Sequence, residues 1–198
     1  PSRDQALKLE VENSEKLKNL EIDSNRTYPL KEKTAHILGF VSEITEDELK
    51  DPKFKNYKLG DKIGRGGVEE TYEKVLKGID GGEIIEVDAS SKKVRTLRKT
   101  DPIPGQNLYL TIDKDLQLAS YDKLSEGIQK AGSCCGSIIS EDPQTGQILS
   151  LVSIPSFDPL DIQKSLQNGN SPFLNRAIAG TYPPGSTFKM ISALAGLA

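Results

Sequence analysis

The chain has 198 residues, 35% of them hydrophobic and 28% charged, with a net charge of -3 at neutral pH. That length allows one medium domain or two small ones with a real core, and the modest apolar share points to an extended, high-surface body. The acidic balance offers no basic stripe for nucleic acid, the single histidine (His36) excludes the usual clustered Cys/His metal site, and no apolar run reaches the roughly 20 residues that cross a bilayer.

In chain order, Ser2 to Leu20 reads as a polar helix with a thin stripe of Leu7, Val11 and Leu17. Thr27 to Phe40 combines a turn at Tyr28-Pro29 with the apolar segment His36 to Phe40. Glu43 to Lys62, rich in lysine and aspartate, reads as a short helix and a surface loop. Gly64-Arg65-Gly66-Gly67 then breaks the chain before a helix carrying Val68, Tyr72, Val75 and Leu76, stopped by Gly78. The glycines lack the Gly-Lys-Ser/Thr ending of a phosphate loop, so a structural turn is the better reading.

Glu83 to Asp88 and Lys93 to Arg98 form a hairpin-like pair with polar outer faces. Asp101 to Gly105 is a turn-rich linker, which divides the chain into residues 1–104 and 105–198. Asn107 to Ile112 is expected to be a strand. Asp113 caps a helix running to about Lys130, with Leu116, Ala119, Leu124 and Ile128 facing inward. Cys134 and Cys135 are adjacent, which disfavours a bridge between them, and they are expected to be small buried residues on a strand. Pro143 and Gly146 mark a hairpin between Ser137–Ile139 and Ile148–Val152. A helix over roughly Asp158 to Gln167 and a last one from Ser186 complete a mixed α+β order. Both ends are expected to be cut, since the chain starts at Pro1 and stops inside that last helix.

Ser-x-x-Lys occurs three times, at Ser90/Lys93, Ser120/Lys123 and Ser186/Lys189. The first lies in a polar hairpin connection and the second near the polar side of a helix, so both are expected at the surface. Ser186 follows Pro183-Pro184-Gly185, which prevents helix before it and supplies a tight entry. It stands at or next to a helix N-terminus, with Lys189 one turn along the same face. The remaining residues, Met190 to Ala198, are nearly all small or apolar, so the helix is expected to be buried and its lysine easier to deprotonate. Two readings stay open from the residues: a capping serine beside an exposed lysine, or a nucleophile beside its base.

Several blocks carry a resemblance to the class B penicillin-binding proteins, whose Ser-x-x-Lys is a known motif. Asn175-Arg176-Ala177 and Tyr182 to Lys189 resemble the segment leading into the acylated serine, and Asp142 to Leu149 the hairpin that opens the transpeptidase domain. Leu110 to Asp113 with Leu116-Gln117 resembles its first helix entry. Arg26 to Pro29, His36 to Phe40, and Gly64 to Glu69 with Tyr72 resemble the non-catalytic pedestal. Glu83 to Pro104 resembles the elongation type, penicillin-binding protein 2, more than the division-type homologue.

The resemblance implies an elongated, dimerisation-like pedestal domain over 1–104. Residues 105–198 would be the N-terminal part of a transpeptidase domain, truncated after the Ser-x-x-Lys helix. It implies Ser186 as nucleophile, Lys189 as base, D-Ala-D-Ala stem peptides as substrate, β-lactams as acylating ligands, and no cofactor. It also implies a site at the extracytoplasmic face of the bacterial membrane, anchored by an N-terminal transmembrane helix absent from this chain, with a membrane polymerase or scaffold protein of the cell-wall machinery as partner. The family's Ser-x-Asn and Lys-Thr-Gly motifs are missing: Lys99-Thr100 is followed by Asp101. The alternative is that the pedestal serves chiefly as a protein-interaction module. A β-lactamase or penicillin sensor would not need so long a segment before its serine.

Overall fold

The computed structural model describes residues 26–90 and 92–197; the helix expected over Ser2 to Leu20 lies outside them. Helices and strands are mixed, as expected, and the strands pair as three separate two-stranded antiparallel sheets.

After the Tyr28-Pro29 turn, α1 (Ala35–Leu38) leads into β1 (Phe40–Glu43), which pairs with β2 (Lys62–Arg65) from Phe40↔Arg65 to Glu43↔Lys62. The polar stretch between them makes two short 3-10 helices, Glu48–Lys50 and Pro52–Phe54. Arg65 clasps the Glu48 carboxylate and donates to Ser42 Oγ at 2.9 Å. Those Arg65 bonds first, then the Thr45 N–H and hydroxyl, hold Glu48 far below the usual carboxylate range.

The glycine run is the structural turn expected of it. A Cβ on Gly64 would strike the Glu69 carbonyl, and one on Gly67 (φ 52°) the Ile37 carbonyl, so close backbone approach demands glycine at both. The helix expected over Val68 to Leu76 is broken at Tyr72 into α2 (Gly67–Thr71) and α3 (Glu73–Leu76). The break turns the Glu73 carboxylate back toward β2, where it accepts from Gly64 N at 2.8 Å and Tyr57 Oη at 3.1 Å. Glu69 lies buried between Arg26 (3.2 Å) and Tyr28 Oη (3.4 Å). Burial raises its pKa against the pull of Arg26, and burial likewise raises that of Tyr28.

β3 (Gly82–Val87) and β4 (Lys93–Thr100) form the second hairpin, with register shifts at Ile84/Ile85 and Glu86/Val87. The outer faces are not only polar. Ile84, Ile85, Val87, Val94 and Leu97 are exposed beside the Lys93–Glu83 and Arg95–Glu86 pairs, because nothing among the described residues covers either face.

The strand expected over Asn107 to Ile112 is not formed. The segment joins no ladder; it is tied to the third hairpin through Thr111 Oγ1 to Ile148 O (2.7 Å) and Asp113 N to Leu149 O (2.9 Å). α4 (Lys114–Ala131) starts where expected, with Asp113 Oδ1 accepting from Leu116 N at 2.8 Å, and ends at left-handed Gly132. Its inward face is rotated from the expected one. Gln117 and Ser120 are buried, whereas Leu116 and Ala119 are exposed and Leu124 and Ile128 half-buried. Ser120 is therefore no surface residue; it sits 3.3 Å from Ser150 Oγ.

β5 (Gly136–Glu141) and β6 (Ile148–Ile154) make the third hairpin, closed by Asp142 accepting from Gln144 N and Thr145 Oγ1, both at 2.9 Å. Cys134 and Cys135 precede β5 instead of lying on a strand, exposed and half-buried respectively. α5 (Ile162–Leu166), capped by Asp161, is shorter than expected.

The core is where the early segment meets this third unit. His36 and Phe40 pack edge-on against Phe157, which stacks on Phe173 at 4.8 Å. Gln117 Nε2 donates to Lys33 O (2.7 Å), Ser156 Oγ to Glu32 O (2.7 Å), and Lys33 pairs with Asp122 (2.7 Å). Residues 32–40 are thus fastened to α4 and β6 across more than 80 residues of sequence.

Candidate active-site segment

The approach to Ser186 is built from β6 outward. Ser153 Oγ donates to Leu174 O and accepts from Arg176 N, both at 3.0 Å. Asn175 Oδ1 caps α6 (Arg176–Ala179) through Ala177 N at 3.2 Å. The Arg176 side chain is buried, and its guanidinium donates to the carbonyls of Asn170, Ser171 (3.1 Å) and Leu174 (3.3 Å). One arginine therefore fixes the loop 170–174 that enters α6. Asn175-Arg176-Ala177 stood out in the sequence only through resemblance, since a buried arginine held by carbonyls leaves no periodic signal.

Pro183-Pro184 then leads to Gly185 (φ 55°) and a 3-10 turn, Gly185–Phe188, continuous with α7 (Lys189–Leu197). In a 3-10 turn residues i and i+3 eclipse, which stacks Lys189 over Ser186; the Lys189 N–H donates to the Ser186 carbonyl. No side chain caps this turn. Thr187 Oγ1 donates to Pro184 O at 2.5 Å, and the Ser186 hydroxyl makes no hydrogen bond among the described residues.

The expected burial is absent. Ser186 and Lys189 are exposed, and so are Met190 (75%), Ile191 (57%), Leu194 (69%) and Leu197 (86%). An apolar helix needs a covering surface, and none lies over α7 among the described residues. Of the other two Ser-x-x-Lys pairs, Lys93 is engaged by Glu83 and Lys123 by Glu126. His36 is no alternative base for Ser186. Its Nε2 lies 2.9 Å from Pro172 O and its Nδ1 3.4 Å from Ser156 Oγ, and burial lowers its pKa. No helix among the described residues is long and apolar enough to cross a membrane.

The family model of the penicillin-binding protein dimerisation domain matches residues 2–110, and that of the penicillin binding protein transpeptidase domain matches 136–198. The chain is 40% identical over 187 residues to the peptidoglycan D,D-transpeptidase MrdA of Acinetobacter baumannii, covering 90% of this chain and 27% of that protein. It is 36% identical to penicillin-binding protein 3 of Bacillus subtilis, covering 88% and 26%. The crystal structure of Pseudomonas aeruginosa PBP2 in complex with WCK 5153 matches with a TM-score of 0.62 and 37% identity, over 86% of this chain and 34% of that one. The chain spans 26% to 27% of the length of these two curated relatives. It belongs to the penicillin-binding protein family, with a dimerisation domain followed by the start of a transpeptidase domain, and MrdA proteins and a PBP2 are among its relatives.

Proposed function

We propose that the chain is the pedestal and opening segment of a peptidoglycan D,D-transpeptidase in which Ser186 is acylated and Lys189 is its base. The observation that carries this is the unengaged Ser186 hydroxyl, one eclipsed turn from Lys189 after a Pro-Pro-Gly entry. Ser186 Oγ attacks the carbonyl carbon between the two D-Ala residues of a stem peptide while Lys189 Nζ takes the hydroxyl proton. The C–N bond breaks, the leaving D-Ala amine receives that proton, and an ester remains on Ser186. An amine of a neighbouring stem peptide then attacks the ester and restores the hydroxyl. A β-lactam enters by the same attack, but its leaving nitrogen stays tethered.

The whole protein releases D-Ala from a pentapeptide stem under this reading, and preincubation with a β-lactam stops it. Absence of D-Ala release from the active whole protein, with cross-linking intact, would count against it.

The division at residues 104/105 between pedestal and transpeptidase segment, and a place at the extracytoplasmic membrane face, belong to the same proposal. A membrane polymerase or scaffold protein of the cell-wall machinery is the proposed partner. The uncovered apolar residues of the β3–β4 hairpin support the hairpin as its docking surface. Leu97→Glu should weaken co-purification of that partner at least about tenfold, by burying a charge at the interface; unchanged co-purification excludes the hairpin.

A further inference from the structure

The loop 170–174 is strained at two consecutive residues. Asn170 (φ 64°) and Ser171 (φ 48°) both have positive φ, a region that suits glycine and costs a residue with a Cβ. Ser171 also precedes Pro172, whose ring drives the residue before it toward extended backbone. Strain of this kind persists only where the surroundings over-determine it.

The surroundings here are side chains that donate to carbonyls. The Arg176 guanidinium donates to Asn170 O, to Ser171 O at 3.1 Å and to Leu174 O at 3.3 Å. His36 Nε2 donates to Pro172 O at 2.9 Å, and Ser153 Oγ to Leu174 O at 3.0 Å. Arg176 is only 6% exposed and has no ion pair among the described residues. A buried charge with no anion beside it is expensive. What the arginine supplies is geometric: a planar fork of donors in fixed directions, which an ammonium on a flexible stem lacks.

A short, stiff path links this clamp to Ser186. α6 begins at Arg176 itself, whose N–H donates to Ser153 Oγ at 3.0 Å, and ends at Gly180. A Cβ on Gly180 would lie 2.5 Å from both the Arg176 carbonyl and the Tyr182 ring, so that ring is packed against the end of α6. Pro183 and Pro184 then restrict φ before Gly185 and Ser186. Few soft torsions separate the arginine from the serine.

We propose that Arg176 is a positioning residue for acylation: by holding residues 170 and 171 in their strained conformation it aims α6, and with it the Pro-Pro-Gly entry that places Ser186. The inference rests on the reading of Ser186 as the acylated nucleophile. Arg176 acts through the loop and not on the substrate.

The test is acylation of the whole protein by labelled penicillin, followed against penicillin concentration and mapped to its peptide. The concentration dependence separates the dissociation constant from the acylation rate constant. Arg176→Lys keeps the charge and removes the fork. It should slow acylation about tenfold to a hundredfold, the effect of misplacing a reacting group, with the dissociation constant unchanged. Adding Asn170→Gly and Ser171→Gly should bring the rate constant back to within about threefold of wild type, since glycine takes positive φ unaided. A merely stabilising arginine would shift the thermal midpoint and leave the rate constant of the folded protein alone. With the wild-type adduct on Ser186, an Arg176→Lys protein that keeps the wild-type rate constant overturns the inference and spares the reading of Ser186. A triple variant that folds and stays slow, or that does not fold, overturns it too, so the outcome is decided even where Arg176→Lys alone fails to fold. A wild-type adduct on any other residue overturns both.

Discussion

Gln117→Leu should destabilise the chain by about 3–5 kcal/mol, the largest stability effect expected of any near-isosteric change here. The side chain is fully buried. Its amide engages both backbone groups of Leu151, donating to the carbonyl at 2.9 Å and accepting from the N–H at 2.8 Å, and donates again to Lys33 O at 2.7 Å. The glutamine thus stands in for a strand residue along β6 while fastening the early segment to α4. Leucine fills a similar volume and satisfies none of the three groups. Each buried polar group left unpaired costs about 1–3 kcal/mol, so the sum consumes a large part of a stability of about 5–15 kcal/mol. The thermal midpoint should fall by on the order of 10 °C. A loss below about 1 kcal/mol would mean that water takes over all three bonds.

Lys189→Gln in the whole protein should reduce the rate of acylation by about 10²–10⁴-fold, the range for removing a positioned proton acceptor. Folding should be little affected within this segment, because Lys189 is exposed and its ammonium makes no hydrogen bond or ion pair among the described residues. The two readouts separate the roles. A change in thermal stability beyond about 0.5 kcal/mol with acylation held within threefold of wild type would make the lysine structural.

Local punctuation made much of the fold legible. Asp113, Pro143 and Gly146 act through one or two backbone bonds each, and the α4 cap and third hairpin fell where those residues put them. What depends on partners distant in sequence was not legible. Hydrophobic periodicity placed Leu116 and Ala119 inward, yet hydrogen bonds to Lys33, Leu151 and Ser150 draw in Gln117 and Ser120 instead. Leu108, Leu110 and Ile112 alternate like a strand, but alternation cannot supply a neighbour to pair with. The apolar α7 reads as buried because apolar helices usually are; its exposure is a fact about what packs on it, which its own residues do not encode. Ser186 was singled out by its Pro-Pro-Gly entry, and the sequence left its capping and nucleophilic readings open. No side chain caps the turn, and the Ser186 hydroxyl makes no hydrogen bond among the described residues.

That unspent hydroxyl is best probed with labelled penicillin, followed by intact-mass analysis and peptide mapping of the whole protein and of the 198-residue chain side by side. One penicilloyl group should appear on the whole protein, on the peptide containing Ser186, and vanish in Ser186→Ala. The 198-residue chain, which has no Ser-x-Asn or Lys-Thr-Gly, should retain none. A stable adduct that persists in Ser186→Ala, or that maps to any other residue, would contradict Ser186 as the acylated nucleophile.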